Sequence, residues 1–337
     1  MLLYKRLLLT CTIFLCTVFV SCAQHKQNSA IGFVEEIDSA LSSIIIKDAS
    51  IEIIAEGFEW SEGPLWVEQY KMLLFSDVPK NIIYKWTAEK GKEVYLTPSG
   101  YIGTTPRGGE TGSNGLALNS NGQLVICQHG DRRMALMNAP LSTPKPIFIS
   151  LADLYNRKKF DSPNDAVFHS NGELYFTDPP YGLEKNDQDS SKEAPYQGIY
   201  KISKTGKVTL LTDSITRPNG IAFLPGYKTV IIANSDSLKP FWYAYDLDAN
   251  GLFVKGRIFY DASVAAKSDK GMPDGLKISR NGTVFASGPG GIWIFNKEAK
   301  LLGKIRITEL ASNCSFSADE KTLYITAAKY VLKVNLL

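Results

Sequence analysis

From residue 51 to the C-terminus, apolar and polar positions alternate in short runs separated by turn-forming residues, and the runs recur as sets. The stretch from Asp161 to Leu183 (DSPNDAVFHSNGELYFTDPPYGL) shows the plan most fully. Pro163-Asn164-Asp165 leads into an alternating segment and Asn171-Gly172 makes a turn. A second strand, Leu174 to Thr177, then runs into Asp178-Pro179-Pro180. Asn-Gly between alternating runs predicts a hairpin, because both residues tolerate the positive φ that tight turns between twisted strands require. The same plan follows Ser113-Asn114-Gly115, Pro218-Asn219-Gly220 and Pro273-Asp274-Gly275. It follows Glu62-Gly63-Pro64 and Asn313-Cys314 in weaker form.

Aligned on Glu62, Asn114, Asn164, Asn219, Asp274 and Cys314, the copies are spaced by 52, 50, 55, 55 and 40 residues. A repeat of this length made only of short strands is the signature of a β-propeller, so six copies predict an all-β fold of six blades. The polar residue at the head of each copy stands just before the innermost strand of its blade, and the six heads should converge on one mouth of the central channel. Third strands are equally regular (IIYKW, MALMN, GIYKIS, FWYAYDL, GIWIFN, VLKVNL), and an outer strand follows every copy but the last. Ile51 to Glu56 (IEIIAE) can fill that place and close the ring, which removes two exposed sheet edges.

Two insertions interrupt the pattern: Leu96 to Gly112, rich in Gly and Thr, and Gly182 to Gln197, of mixed charge. Long loops at one rim of a rigid scaffold read as binding loops or lids.

The first 50 residues do not follow the repeat. Lys5-Arg6 and the apolar run Leu7 to Val20 form a signal, and Phe19-Val20-Ser21-Cys22 resembles a bacterial lipoprotein processing site. Residues 1–22 are therefore expected to act in export, with Cys22 lipid-anchored on the periplasmic face of a membrane. Residues 23–50 serve as a tether, in which Ile31 to Lys47 is expected to form one short helix, and residues 51–337 form the propeller. Cys11 and Cys16 fall in the signal, leaving Cys127 and Cys314 as expected buried free thiols.

Composition narrows the function. Hydrophobic residues make up 44% and charged residues 21%, as in an ordinary globular domain. The net charge is only +3, and no basic run is longer than Arg132-Arg133 or Lys158-Lys159, so nucleic-acid binding has no support. The chemistry lies in the heads. Glu62, Asn164, Asn219 and Asp274 would bring two carboxylates and two amide oxygens around one axis. These hard oxygen donors suit Ca²⁺, or Mg²⁺ or Mn²⁺, and include no thiolate or imidazole.

EGPLW at Glu62, SPND at Asn164, RPNG at Asn219 and PDG at Asp274 resemble the regucalcin/gluconolactonase family of six-bladed propellers. QHGDRR (Gln128 to Arg133) and TDPPYGL (Thr177 to Leu183) resemble its bacterial gluconolactonase branch. The resemblance implies hydrolysis of a small-molecule sugar lactone to its aldonic acid. It implies one divalent cation, most often Ca²⁺ with Mg²⁺, Mn²⁺ or Zn²⁺ as alternatives, held by Glu62, Asn164, Asn219 and Asp274. Asp274 is then also the candidate base. Asn114, His129, Arg132 and Tyr181 are candidate substrate contacts, His129 with a possible share in proton transfer, and Asp165 could orient Asn164. The sequence departs from the family at Ser162, where regucalcin-like members carry a substrate-contacting Arg. A hydrolase of another ester or phosphotriester, or a non-catalytic binding propeller, are the other readings.

Overall fold

The computed structural model describes residues 31–337. The expected signal and the expected Cys22 anchor lie outside the described residues. Six antiparallel sheets follow one another around a central axis, each innermost strand entering from the outer strand of the blade before it. Blade 1 runs Ser61–Val67, Met72–Asp77, Ile82–Thr87 and Gly91–Leu96, and blade 2 runs Ser113–Leu118, Leu124–Gln128, Arg133–Met137 and Phe148–Ala152. Blade 3 is Ala166–Phe168, Leu174–Asp178, Gly198–Ile202 and Val208–Thr212, and blade 4 is Pro218–Phe223, Thr229–Asn234, Phe241–Leu247 and Phe253–Asp261. Blade 5 is Leu276–Ile278, Val284–Gly288, Gly291–Phe295 and Leu301–Ile307. Blade 6 takes Ala311–Phe316, Thr322–Ala327 and Tyr330–Asn335 from the C-terminal end of the chain and Ile51–Glu56 from its N-terminal side. The expected closure is observed, with Ile51 opposite Val334 and Glu56 opposite Tyr330.

Ile31 to Lys47 does not form the expected helix. Gly32–Glu36 is a strand that pairs antiparallel with Leu301–Ile307 and gives blade 5 a fifth strand. Only Ser39–Ser43 coils, as a 3₁₀ turn whose first amides are capped by Asp38, with Ala40 N donating to Asp38 Oδ1 at 3.0 Å. The reason is periodicity. In GFVEE, Val34 is buried between an exposed Phe33 and a half-buried Glu35, an alternation of two that fits an open sheet edge and gives no helical stripe. A helix this short would also carry its nucleation cost without a compensating packed face.

Packing explains why the second strands read as continuous apolar runs. The buried side chains form six clusters, each a wedge between two neighbouring blades. In blade 1, Met72 and Leu74 face blade 2, whereas Leu73 and Phe75 face blade 6. A strand buried on both faces needs apolar residues at every position. Cys127 lies in the wedge between blades 2 and 3 and Cys314 in that between blades 5 and 6, and both are free thiols as expected.

The closing strand makes a specific prediction. Leu332 is fully buried, while its partner across the ladder, Ile53, is 43% exposed. Leu332→Ala is expected to lower stability by about 2–5 kcal/mol in urea unfolding, and Ile53→Ala by less than about 1 kcal/mol. Equal losses would mean that Ile51–Glu56 is registered on the opposite face.

Candidate active site

The site is built by the backbone at the inner end of each blade. In blade 2 the chain bulges between Ser113 and Leu116, and in blade 4 between Pro218 and Ile221, so that Asn114 and Asn219 leave the ladder. These bulges lie against the neighbouring blade. A methyl group on Gly115 would sit 2.6 Å from Asn164 O, and one on Gly220 would sit 2.5 Å from Asp274 O. Both distances are too short for any side chain, which is why glycine follows the head at each place.

The loops entering the heads are clamped by the residue that ends each second strand. Asp77 accepts from Glu59 N and Trp60 N, Asn234 Oδ1 from Arg217 N at 2.8 Å, and Asp178 from Asp161 N and Ser162 N at 2.9 and 2.7 Å. This gives Asp178 of the TDPP motif a structural task. Burial, and then the neighbouring Asp161, push its carboxyl well above the usual range. Ser162 closes the same corner by donating to Pro179 O at 2.5 Å and accepting from Gly182 N at 2.8 Å.

Glu62, Asn114, Asn164 and Asn219 are buried at the mouth, with Asp274 half-buried beside them. Glu62 Oε2 accepts from Gly63 N at 2.7 Å and from Asn313 Nδ2 at 3.3 Å. Asn219 Nδ2 donates to Ser235 Oγ at 3.1 Å, which turns its amide oxygen the other way. Asn164 Oδ1 and Asp274 Oδ1 are buried and have no hydrogen-bond partner among the described residues. Buried oxygens without donors are costly and rare. Burial raises the Glu62 carboxyl to about 8, opposed by the Gly63 amide and reinforced by Asp165. Asp274 is driven well above its usual range by burial and then by Glu62. No group of three or more His, Cys, Asp or Glu side chains placed to hold a metal occurs among the described residues. The axial set combines carboxylates with amides instead. Two anions and two donor-less oxygens fit a hard divalent cation.

The sixth head differs from expectation. Cys314 does not face the axis: its thiol is in the apolar wedge, 3.5 Å from Phe285 O. Asn313 takes the axial place and reaches Glu62. The signal was present, since Ser312-Asn313 repeats Ser113-Asn114. Asp165 does not orient Asn164 either. Its Oδ1 accepts from Ala166 N at 2.9 Å, and its Oδ2 lies 3.6 Å from Lys277 Nζ, an ammonium that sequence reasoning missed.

Around the mouth, the two insertions meet. Arg107 of the 97–112 loop donates to Gly130 O and Gly182 O, tying that loop to the 182–197 loop. Asp187 of the second loop pairs with Arg217, whose guanidinium lies 5.9 Å from the Tyr181 ring centre. The Tyr181 hydroxyl is pushed up by burial and then by the Asp274 charge. His129 is buried, with Glu110 of the first insertion 3.2 Å away. Arg132 is held at the rim, donating to Phe160 O at 2.6 Å and Ser191 O at 2.8 Å. A cleft of about 460 Å³ opens beside it, lined by Tyr101, Arg107, Lys159 and Glu184.

The sequence profile of the SMP-30/gluconolactonase/LRE-like region matches residues 60–329. The chain belongs to this family. It is 36% identical over 324 residues to a gluconolactonase of Zymomonas mobilis, covering 93% of this chain and 88% of the relative. Among solved structures, a gluconolactonase of Xanthomonas campestris superposes with a TM-score of 0.78 at 27% identity, covering 90% of this chain and 95% of the other. A calcium-binding regucalcin from Agrobacterium tumefaciens shares the fold, with a TM-score of 0.66 at 18% identity over 84% of this chain and 93% of the other.

The charge cluster has a measurable consequence for the metal-free protein. Glu62 ionises near 4.5 when unfolded and near 8 when folded, so between these values the folded state binds more protons. Stability of chelator-treated protein should therefore fall as pH rises from about 5 to 8. In Glu62→Gln that decline should be shallower in thermal unfolding. An unchanged slope in the variant would mean that Glu62 does not carry the axial charge strain.

Proposed function

We propose that this chain hydrolyses a gluconolactone-like sugar lactone to the aldonic acid, using a divalent cation held by Glu62, Asn164, Asn219 and Asp274. The carrying observation is the convergence of two carboxylates with buried oxygens of Asn164 and Asp274 that no protein donor satisfies. Lactone as substrate is supported by the Zymomonas gluconolactonase, which matches over most of both chains. A platform for a protein partner would have no use for these uncompensated charges. Ca²⁺ is the favoured ion, because the donors are all oxygen and include neutral amides. A divalent ion held by these four residues would supply Lewis acidity toward the lactone carbonyl.

The remaining work falls to the side chains. Asp274 stands at the mouth with Oδ1 buried and without a protein donor, and is the carboxylate available to accept a proton from attacking water. Asn114 is buried at the mouth, and its side-chain amide is the group for a sugar hydroxyl. Tyr181, next to Ser235 and Asp274, offers a second polar contact on an apolar ring. The meeting insertion loops narrow the entrance and limit water around the reacting ester.

Three measurements on the purified chain test this reading: hydrolysis of a lactone panel, the same with chelator, and calorimetric titration with Ca²⁺. Wild type is expected to require the ion. Asp274→Asn keeps an oxygen donor but loses charge and basicity, and should lower kcat by about 10²-fold or more while retaining weaker ion binding. Asn114→Ala should raise KM with Ca²⁺ affinity unchanged. Undiminished turnover after chelation would refute the metal-assisted mechanism.

A further inference from the structure

We propose that Glu110 and His129 form an acid pair for the leaving group, with His129 protonating the departing ring oxygen and Glu110 positioning the imidazole. The proposal rests on the lactonase reading and adds the second proton carrier that ester cleavage needs once Asp274 has accepted the proton of water.

His129 follows the second strand of blade 2 and is fully buried. Neither ring nitrogen has a hydrogen-bond partner among the described residues. A buried imidazole left without partners costs stability, and such groups persist where a reaction uses them. The nearest charge is Glu110, with Oε2 3.2 Å from Nδ1 but out of line for a hydrogen bond. Catalytic contacts of this kind are often loose before substrate is bound.

Glu110 is not a casual neighbour. It arrives on the 97–112 insertion, which is fixed at several points close by. Arg107 binds Gly130 O and Gly182 O, His129 N donates to Gly112 O at 3.1 Å, and Gly112 N donates to Val78 O at 2.8 Å. On the other wall the Gly182 backbone lies against the root of the His129 side chain, where a methyl group would sit 2.8 Å from Cβ. Glu110 precedes the Asn114 head by four residues, and Gly112 between them is bonded to both Val78 and His129, which sets the pair beside the head of blade 2. Sequence reasoning passed over Glu110 because it lies in a loop without periodicity, 19 residues before the histidine.

The step balances simply. Water adds its oxygen to the lactone carbonyl carbon and gives one proton to Asp274. The acyl–oxygen bond of the ring breaks, and its electron pair takes the proton from His129 Nε2, leaving a hydroxyl and neutral imidazole. Proton exchange with solvent resets both groups, and no electrons are gained or lost. Glu110 holds Nδ1–H and stabilises the imidazolium before the step.

The test uses the Ca²⁺-loaded full chain with glucono-1,5-lactone, and ¹⁵N spectra of histidine-labelled protein as a readout independent of turnover. Glu110→Gln is expected to lower kcat about tenfold or more, with KM and Ca²⁺ affinity within about twofold, and Glu110→Asp to recover part of the loss. His129→Gln should lose about 10²-fold in kcat, and the double variant should be no slower than His129→Gln alone. The His129 Nδ1 resonance should shift in Glu110→Gln. Losses that multiply in the double variant, a Ca²⁺ affinity that falls in parallel with rate, or an unmoved His129 resonance would overturn the pair. A wild-type chain inactive on every lactone, with the Nδ1 shift still present, would instead overturn the lactonase reading and the proton-transfer role with it, while leaving the contact intact.

Discussion

Six hydrogen bonds at the inner ends of the blades carry the ring across every blade boundary. Ser76 Oγ donates to Asn114 O, Gly115 N to Asn164 O, Thr177 Oγ1 to Asn219 O and Ser235 Oγ to Pro273 O. Gly275 N donates to Ser312 O, and Ser312 Oγ returns to Ser61 O to complete the circle. After Glu62, Asn114, Asn219 and Asp274 the next residue is glycine, and a side chain there would collide with the neighbouring blade. The apolar wedges hold the blades together. These polar links set where their inner ends stop, and so how closely the head side chains approach one another.

The electrostatics of the site follow from that spacing. A ring that brings Glu62 and Asp274 to one mouth, with Asp165 and Glu110 close behind, removes carboxylates from water without giving each a cation. Lys277 offsets part of this charge from within the channel, near Asp165. What is left is an inner rim where Asn164 Oδ1 and Asp274 Oδ1 are buried without protein donors. The two insertions then act on a mouth already charged. Arg107 and Arg217 are spent on loop carbonyls and Asp187, so that the rim is held together by the same residues that shape its entrance.

Much of this was legible in the sequence because the repeat writes the same physics six times. The turn dipeptides marked the heads, the double-sided apolar runs marked the second strands, and the absent outer strand of the last copy pointed to Ile51–Glu56. Legibility failed where the repeat is weakest. In blade 6 the head lacks glycine, and alignment on spacing alone chose Cys314, although only Asn313 has a side chain that can reach Glu62. The N-terminal strand of blade 5 was hidden because a single five-residue edge strand has too few alternations to be told from a helix start. Glu110 and Lys277 were missed for a different reason. Their roles arise from groups brought close only by ring closure, and no local pattern encodes that distance.

Closure of the ring is proposed to create one cation site at the mouth. Crystals grown with Mn²⁺ and measured for anomalous scattering test it directly. The account predicts a single strong anomalous peak bounded by the side-chain oxygens of Glu62, Asn164, Asn219 and Asp274, absent in Asp274→Ala crystals grown in the same way. A map with no peak there, or with its strongest peak elsewhere on the propeller, would contradict it.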